Sequence, residues 1–395
     1  MNKELSQLFL TIPVPDELEA QRRAWKVVRA AHAEREPVRR HNWRLAPAVA
    51  FALLTAAIVA AAVPSVRGWI GQRVDGDEPP RPALVRLPAP GRLLVVSGQG
   101  AWVVRADGSK RRLGDYAQAS WSPRGLYVAV AEGRRLAAVE PGDGSVRWSL
   151  SRARPIRDPR WSGGGEDTRI AYRSGDRLRV VAGDGAPDRL VARRVAAVAP
   201  AWKPGNRHVL AYARADGSVH VVDVDTARDL WNTRTGPPVR QLLWSGDSLL
   251  VLSKNEGRFY EGRRPVGQPI ELAKGHLLLD AALGPTGDLV YTDFDPKTQE
   301  TAVVRNSVCA RPRGPCLLVG PHAVFRGSGR LPDIAWSPDG RWLLVGYPDA
   351  DQFLFIRAVG VRRVIPVSGI RREFDPGGET FGTAFPRVVA WCCGR

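Results

Sequence analysis

A tryptophan followed by a tight turn and a second strand recurs along most of this chain. The clearest copy is LPDIAWSPDGRWLLVG at 331–346, in which the turn SPDG separates two short apolar runs. Proline sets the backbone angle at the second position of such a turn, and glycine fits the fourth. The flanking runs are rich in residues that favour strands. The unit is therefore strand, turn, strand.

The spacing of the copies indicates a repeat architecture. Successive steps are 40, 41, 42, 39, 53 and 55 residues. A period near 40 residues with about four strands per unit is typical of a β-propeller. The residue at the repeat position is a tryptophan in six copies: Trp121, Trp161, Trp202, Trp244, Trp336 and Trp391. In a degenerate copy between Trp244 and Trp336 it is Leu283.

The ends of the repeat region predict how the ring closes. Three apparent strands at 92–114 precede the first repeat tryptophan and lack an inner partner. The last inner strand, around 388–391, lacks outer strands. Joining them gives an all-β, seven-bladed propeller over 91–395, closed by strand exchange between its two ends. A six-bladed propeller, in which Leu283 is not a repeat position, is the alternative.

The W-S-P-x-G turns at Trp121 and Trp336 resemble the TolB-like, WD40-like propeller repeat of membrane-anchored bacterial proteins. The middle copies depart from that pattern, since Trp161 and Trp244 are not followed by the proline. The resemblance implies a fold more than a function, because propellers serve as enzymes, scaffolds and receptors. The two long steps contain insertions at 295–320 and 370–386, which we expect to form surface loops, either for binding or as neutral extensions.

An uncharged segment at 45–66 predicts one membrane-spanning helix. Its 22 residues reach about 33 Å at a helical rise of about 1.5 Å per residue, enough for a bilayer. The 44 residues before it are far more than the basic region of a signal peptide. The predicted order is a cytoplasmic tail at 1–44, the span at 45–66, a Pro-rich stalk at 67–90 and an extracytoplasmic propeller.

The tail contains an amphipathic pattern. A helix is predicted to begin with Asp16 as its cap and to end before Pro37. Leu18, Trp25 and Val28 fall on one stripe of that helix. This stripe either binds a cytoplasmic partner or rests on the membrane surface.

All four cysteines follow the predicted span. Cys309 and Cys316 flank ARPRGP and are candidates for a disulfide across a hairpin tip, which would need an oxidising compartment. Cys392 and Cys393 could be bridged to each other, free, or bridged elsewhere. Neither pair has the spacing of a zinc site.

The chain has a formal net charge of +18. A basic ectodomain would be attracted to anionic envelope polymers or lipid headgroups. Only seven of the 58 basic residues are lysine, however. The alternative is that the excess arginine is scattered over the surface and forms no basic patch. Nucleic acid is not favoured, because the sequence has no signature of a DNA- or RNA-binding fold.

No catalytic, metal or cofactor site is predicted. The six histidines show no metal-binding spacing, and no G-x-S-x-G, P-loop or Rossmann motif occurs. The acidic segments 223–229 and 293–300 resemble calcium loops only loosely and fit blade turns better. His220 and Asp223 are expected to face opposite sides of one strand.

These features favour a non-catalytic binding or scaffold module outside the membrane, with an envelope protein or an anionic envelope polymer as partner. The alternative is a transmembrane signalling protein similar to membrane-anchored anti-sigma factors, whose tail binds a cytoplasmic regulator. A third hypothesis is a propeller enzyme, such as a glycosidase, which paired carboxylates at a channel mouth would support.

Overall fold

The computed structural model describes residues 84, 86–162, 167–236, 238–307, 319–375 and 384–393. Its strands form seven four-stranded antiparallel sheets, the blades of a propeller. The seven-bladed prediction is confirmed, and the six-bladed alternative is wrong because Leu283 ends an inner strand. The predicted tail and span lie outside the described residues, and none of the helices described is long and apolar enough to cross a membrane.

The strands follow one another in chain order with few interruptions. The first fifteen are β1 Arg92–Ser97, β2 Gly100–Val104, β3 Lys110–Gly114, β4 Gln118–Trp121, β5 Val128–Glu132, β6 Arg135–Val139, β7 Val146–Ser151, β8 Ile156–Trp161, β9 Arg169–Ser174, β10 Arg177–Ala182, β11 Asp188–Arg193, β12 Ala201–Trp202, β13 Val209–Ala213, β14 Ser218–Asp223 and β15 Arg228–Arg234. The others are β16 Gln241–Ser245, β17 Ser248–Leu252, β18 Glu256–Glu261, β19 Arg264–Glu271, β20 Leu277–Leu283, β21 Leu289–Asp295, β22 Glu300–Ser307, β23 Val319–Ser328, β24 Ile334–Trp336, β25 Trp342–Tyr347, β26 Gln352–Arg357, β27 Val364–Ser368 and β28 Arg387–Cys392.

Blades 1 to 6 each take four consecutive strands, from β4–β7 to β24–β27, and blade 7 combines β28 with β1–β3. In blade 7 the C-terminal strand β28 pairs antiparallel with β1, with Trp391 opposite Leu93. The predicted strand exchange between the two ends is therefore confirmed. The inner strands β28, β4, β8, β12, β16, β20 and β24 contact one another in a closed ring around the propeller axis.

The repeat tryptophans connect neighbouring blades. The inner edge of each blade leaves backbone carbonyls without a strand partner, and a buried carbonyl needs a donor. In three blades the indole N–H supplies it, donating to the residue just before the repeat position of the preceding blade. These bonds are Trp202 Nε1 to Arg160 O at 2.8 Å, Trp244 Nε1 to Ala201 O at 3.0 Å and Trp336 Nε1 to Ala282 O at 3.2 Å.

This geometry predicts different costs for two tryptophan substitutions. Trp336→Phe leaves the Ala282 carbonyl without its donor and should lower the free energy of unfolding by about 1–2 kcal/mol more than Trp161→Phe. Trp161 is the matched control, because its buried indole nitrogen has no hydrogen-bond partner among the described residues. Urea denaturation of the two variants measures the difference. Equal losses would contradict a role for the indole bond.

The insertion at 370–386 does not begin as a surface loop. It starts with a short helix, α1 Ile370–Phe374, whose two terminal side chains are fully buried. The Phe374 ring lies edge-on to Trp102, with 5.8 Å between ring centroids, and packs beside Phe353. One helical turn brings residues four apart onto one face, which explains why the apolar pair enters the core. The expectation of a surface loop is wrong for this part of the insertion.

The end of the segment predicted as a stalk also packs on the propeller. Leu84, Leu87 and Ala89 are buried in the same cluster as Phe374 and Trp391. The Leu87 amide donates to the Ala106 carbonyl at 2.9 Å. A short 3-10 helix, Pro348–Ala350, completes the regular structure of the described residues.

Candidate binding site at the propeller axis

A polar side chain recurs on the inner strands, three residues before the repeat position. It is present in five blades, as Gln118, Asp158, Gln241, Asp280 and Asp333. Strand residues two apart point the same way, so in the regular strands β4 and β16 Gln118 and Gln241 share a face with the residue just before the repeat position, opposite the tryptophan. The tryptophan reaches back to the preceding blade, so the polar side chain reaches forward to the next.

Three of these side chains accept hydrogen bonds from the backbone of the next blade. Asp280 Oδ2 accepts the Ile334 amide at 3.1 Å, and Asp333 Oδ2 accepts the Val388 amide at 3.1 Å. Gln118 Oε1 accepts the Asp158 amide in the same way. These bonds give backbone N–H groups at the inner edge an acceptor, just as the indole N–H groups give backbone carbonyls at that edge a donor. Sequence reasoning missed them, although an Asp or Gln three residues before the tryptophan was a visible signal.

Asp280 lies at the centre of the densest part of this network. Its Oδ1 accepts the Ala281 amide at 2.8 Å and the Gln241 side-chain amide at 3.2 Å. Burial nevertheless raises the pKa of the Asp280 carboxyl to about 6, because desolvation outweighs the hydrogen bonds and the positive charge of Arg387.

Asp333 is the second acid at the axis, and its side chain is 8% exposed. Burial, followed by repulsion from Asp280, raises the pKa of the Asp333 carboxyl to about 7. Arg387 and the Val388 amide oppose this shift. Two adjacent carboxyls that resist simultaneous ionisation give the axis a charge that changes near neutral pH.

Arg160 supplies a cation at the axis. It lies within electrostatic range of Asp280 and Arg387, which belong to blades 5 and 7, so its side chain extends from blade 2 into the space that the inner strands enclose. The equivalent residues of the other blades are smaller: Ser120, Ala201, Leu243, Ala282, Ala335 and Ala390. Burial lowers the pKa of the Arg160 guanidinium, with smaller effects from nearby charges.

Neither axial arginine forms an ion pair within the described part of the chain. Arg160 Nη1 donates to the Pro159 carbonyl at 3.0 Å, and Arg387 is exposed. Asp158, the acid closest in sequence to Arg160, is bound instead by Arg173, with 2.7 Å between Nε and Oδ2. The axial cluster, which we define as Arg160, Asp280, Asp333 and Arg387, therefore has two guanidinium groups able to bind an anionic group.

The two axial carboxyls are the pair that would support an enzyme. Asp280 has both oxygens, and Asp333 has Oδ2, bound to backbone amides. Among the described residues no three His, Cys, Asp or Glu side chains are placed to hold a metal ion. What the cluster can do chemically is bind an anion and change its net charge with pH.

A serine, a histidine and an aspartate form a row elsewhere, in blade 3. Ser218 Oγ lies 2.9 Å from His220 Nε2, and His220 Nδ1 lies 2.8 Å from Asp229 Oδ2. Ser218 is buried, and its hydroxyl also donates to Asp216 at 2.6 Å. The ring of His220 stacks on Tyr212. We interpret this row as a link between β14 and β15, because the serine proton is already held by a carboxylate.

The other residues singled out in the sequence fall into two groups. The six repeat tryptophans are buried, each at or next to the end of an inner strand. Cys392 and Cys393 form a vicinal disulfide, which is one of the three alternatives left open by the sequence. Residues outside the described ranges are the disulfide candidates Cys309 and Cys316 and the tail residues Leu18, Trp25 and Val28.

No family model and no curated protein matches the sequence. Many solved structures are similar in fold. A chain of the mitotic checkpoint complex has 16% identity and a TM-score of 0.52, covering 73% of this chain and 98% of that one. A candidate 6-phosphogluconolactonase from Bacteroides uniformis has 13% identity and a TM-score of 0.51, covering 76% and 100%.

The β-propeller domain of Cps50 (Swd1) from Myceliophteria thermophila has 14% identity and a TM-score of 0.51, covering 64% of this chain and 86% of that domain. Likeness at this level of identity shows the fold alone. The chain is thus a seven-bladed β-propeller, similar in fold to these solved structures.

Proposed function

We propose that this chain is a non-catalytic binding module, held in the cell membrane by the segment 45–66 with its propeller outside the cytoplasm. Its partner is an anionic envelope polymer, or an envelope protein that presents a carboxylate or phosphate to the propeller axis. The observation that supports this most directly is the presence of Arg160 and Arg387 at the axis, without ion-pair partners among the described residues.

The inner part of the site suits such an anion because burial reduces the contact of Arg160, Asp280 and Asp333 with water, whereas Arg387 is exposed. A guanidinium–carboxylate attraction is stronger in a partly desolvated site than on an open surface. As the pH falls from 8 to 5, Asp280 and Asp333 take up protons, since their pKa values are raised to about 6 and about 7. The net positive charge of the axial cluster then increases, so an anion should bind more tightly at acidic pH.

The proposed location is supported by two features of the chain. The segment between Arg44 and Arg67 contains no charged residue, which is typical of a membrane span. All cysteines follow it, and the disulfide between Cys392 and Cys393 is a bond that persists in oxidising compartments.

Cosedimentation of the full chain with isolated envelope polymer, at pH 5.5 and pH 7.5, tests this proposal. We expect the double variant Arg160→Gln/Arg387→Gln to bind about tenfold more weakly, because charge-assisted hydrogen bonds are lost. The control is Arg134→Gln/Arg264→Gln, which removes the same charge from two exposed positions. Equal binding by both double variants would contradict an axial site. A soluble regulator captured by the full chain, and lost on deleting 1–36, would favour the signalling alternative.

A further inference from the structure

Exposed apolar side chains are concentrated at one end of the propeller. In a blade of four antiparallel strands, the turn between the first two strands and the turn between the last two lie at the same end. Four of the five large apolar side chains that are exposed in the described ranges lie in or next to such turns: Leu126, Val146, Val359 and Val361. The parts of this end used below, which we call the entry face, are the segment 87–91 and the turns 105–109, 122–127, 140–145, 337–341 and 358–363.

The chain enters the propeller at this face. The Leu87 amide donates to the carbonyl of Ala106, which lies in the turn between β2 and β3. A Cβ added at Gly91 would lie 2.9 Å from Pro338 Cγ, in the turn that follows Trp336. Residues 87–91 therefore run along the entry face before β1 begins. Any membrane segment that precedes residue 84 is connected to the propeller at this end.

The entry face of blade 6 is strongly basic. Four arginines lie in or beside its two turns: Arg341, Arg357, Arg362 and Arg363. Asp339 is the one acid in the same turns, and it accepts the Arg341 amide at 3.1 Å. None of the four guanidinium groups forms an ion pair among the described residues, although Arg362 donates to the Val324 carbonyl. These charges are therefore free to bind an anionic surface.

The turn between β26 and β27 presents two valines outward from a fixed backbone. The Ala358 amide donates to the Arg341 carbonyl at 2.8 Å, and Arg357 Nε donates to the Val359 carbonyl at 3.1 Å. Arg305 Nη1 donates to the Ala358 carbonyl at 2.7 Å. Val361 is nevertheless 80% exposed, more than any other large apolar side chain among the described residues. Its side chain gains nothing from burial in this chain, so a partner that covers it would add that gain.

The combination of free arginines and exposed valines matches the surface of an anionic bilayer. Exposed apolar residues rimmed by charge are typical of membrane or protein contact sites. Anionic headgroups attract the arginines, and the acyl boundary just below them receives short apolar side chains. A soluble anionic polymer would satisfy the arginines alone. Leu126, which is 60% exposed, and Val146 extend the apolar surface to blade 1, the neighbour of blade 7.

We propose that the entry face of blades 6, 7 and 1 docks on the bilayer surface through anionic lipid headgroups. Val359 and Val361 enter the boundary between headgroups and acyl chains, and Arg341 and Arg363 bind lipid phosphates. The opposite end of the propeller then faces away from the bilayer. This inference rests on the membrane attachment in the proposed function, but it uses no residue of the axial cluster.

Nanodiscs that hold the full chain test this surface. One set contains phosphatidylcholine alone, the other equal parts of phosphatidylcholine and phosphatidylglycerol, and both contain a lipid with a fluorescence quencher. Dansylalanine in place of Val361 reports contact with the lipid. The control has dansylalanine in place of Ala215, an exposed residue of the turn between β13 and β14 at the opposite end. We expect quenching at 361 only with phosphatidylglycerol, lost as salt is added, and none at 215.

The double variant Arg341→Gln/Arg363→Gln tests the part played by charge. It should shift the ratio of docked to undocked propeller about tenfold towards the undocked state, because each arginine near an anionic surface contributes about 1 kcal/mol. The control, Arg134→Gln/Arg193→Gln, removes the same charge from two exposed positions at the opposite end and should leave quenching unchanged.

Three results would overturn the proposal. They are no quenching at 361 in the phosphatidylglycerol discs, equal quenching in both sets of discs, and quenching that Arg341→Gln/Arg363→Gln leaves unchanged. A blue shift of the dye that grows with protein concentration in lipid-free detergent would assign the valines to a second copy of the chain and also refute lipid docking.

Incorporation into the phosphatidylcholine discs tests the membrane segment separately, because it needs no anionic lipid. A chain that fails to incorporate would refute that part of the proposed function. The entry face is then tested by adding the chain to preformed phosphatidylglycerol vesicles, on which the same quenching at 361 is expected and its absence would refute the docking surface.

Discussion

A chain that ends at Pro386 is expected to lose the cooperative unfolding transition of the propeller. The truncation removes β28, the inner strand of blade 7, and leaves β1 as an unpaired edge. Trp391 and Val388 leave the core cluster between blades 6 and 7, and each large apolar side chain contributes about 1.5–3 kcal/mol when buried. The ring also opens between blades 6 and 1, so the loss approaches the whole stability of about 5–15 kcal/mol of a typical domain.

Thermal unfolding followed by circular dichroism, together with binding of a dye to exposed apolar surface, measures this effect. A chain lacking only residues 394 and 395 is the control, because it retains the whole of β28. A peptide of residues 384–395 added in trans should restore part of the transition, since β28 is held by pairing and packing. A truncated chain that melts in one transition at the full-length temperature would show that closure does not depend on β28.

The blade repeat was predictable from the sequence because in six of the seven blades a tryptophan is buried at or next to the end of the inner strand. Where the indole bonds to the preceding blade, as in Trp202 and Trp336, the residue type and its spacing repeat together. Leu283 breaks the pattern because a leucine has no N–H to donate, yet its spacing still marks an inner strand. Counting strands at the two ends then predicted the composition of blade 7.

The axial cluster was not predictable in the same way. Arg160, Asp280 and Arg387 come from blades 2, 5 and 7 and are more than 100 residues apart in sequence. Only closure of the ring brings them within electrostatic range. Arg160 lies one residue before its repeat position, Asp280 three before and Arg387 four before. No single position of the repeat therefore marks the cluster.

The same limit applies to α1. Ile370 and Phe374 lie in an insertion, where periodicity gives no information, and their burial depends on contacts with core residues of blades 6 and 7. Sequence patterns therefore identified the repeated framework, whereas the axial cluster and α1 arise from departures from the repeat.

Hydrogen bonding at the inner edge also explains why acidic residues occur three residues before the repeat position. Asp280 and Asp333 accept backbone amides, which any Asp, Asn or Gln at that position could do. A carboxylate does so at the cost of desolvation, and two adjacent carboxylates add mutual repulsion. The choice of Asp over Asn therefore makes the framework itself sensitive to pH.

The replacement Asp333→Asn should remove much of that sensitivity. The pKa of Asp333 is raised to about 7 in the folded chain, against about 3.9 in an unfolded one, so the folded state holds the proton more tightly. The stabilisation from protonated Asp333 is complete below about pH 4 and is lost as the pH rises through about 7. Asparagine stays neutral and its Oδ1 can still accept the Val388 amide, so the variant keeps that stability at all pH values.

We expect the variant and the parent chain to unfold at similar urea concentrations at pH 4.5, and the variant to be more stable by about 2–4 kcal/mol at pH 8. The control Asp107→Asn has the opposite sign. Hydrogen bonds from Ser109 lower the pKa of the exposed Asp107 carboxyl, so this replacement should destabilise the chain only above the acidic range. Parallel pH profiles for Asp333→Asn and the parent would mean that Asp333 ionises without cost in the folded chain. Asp280 would then be the only axial carboxyl left to make anion binding at the axis depend on pH.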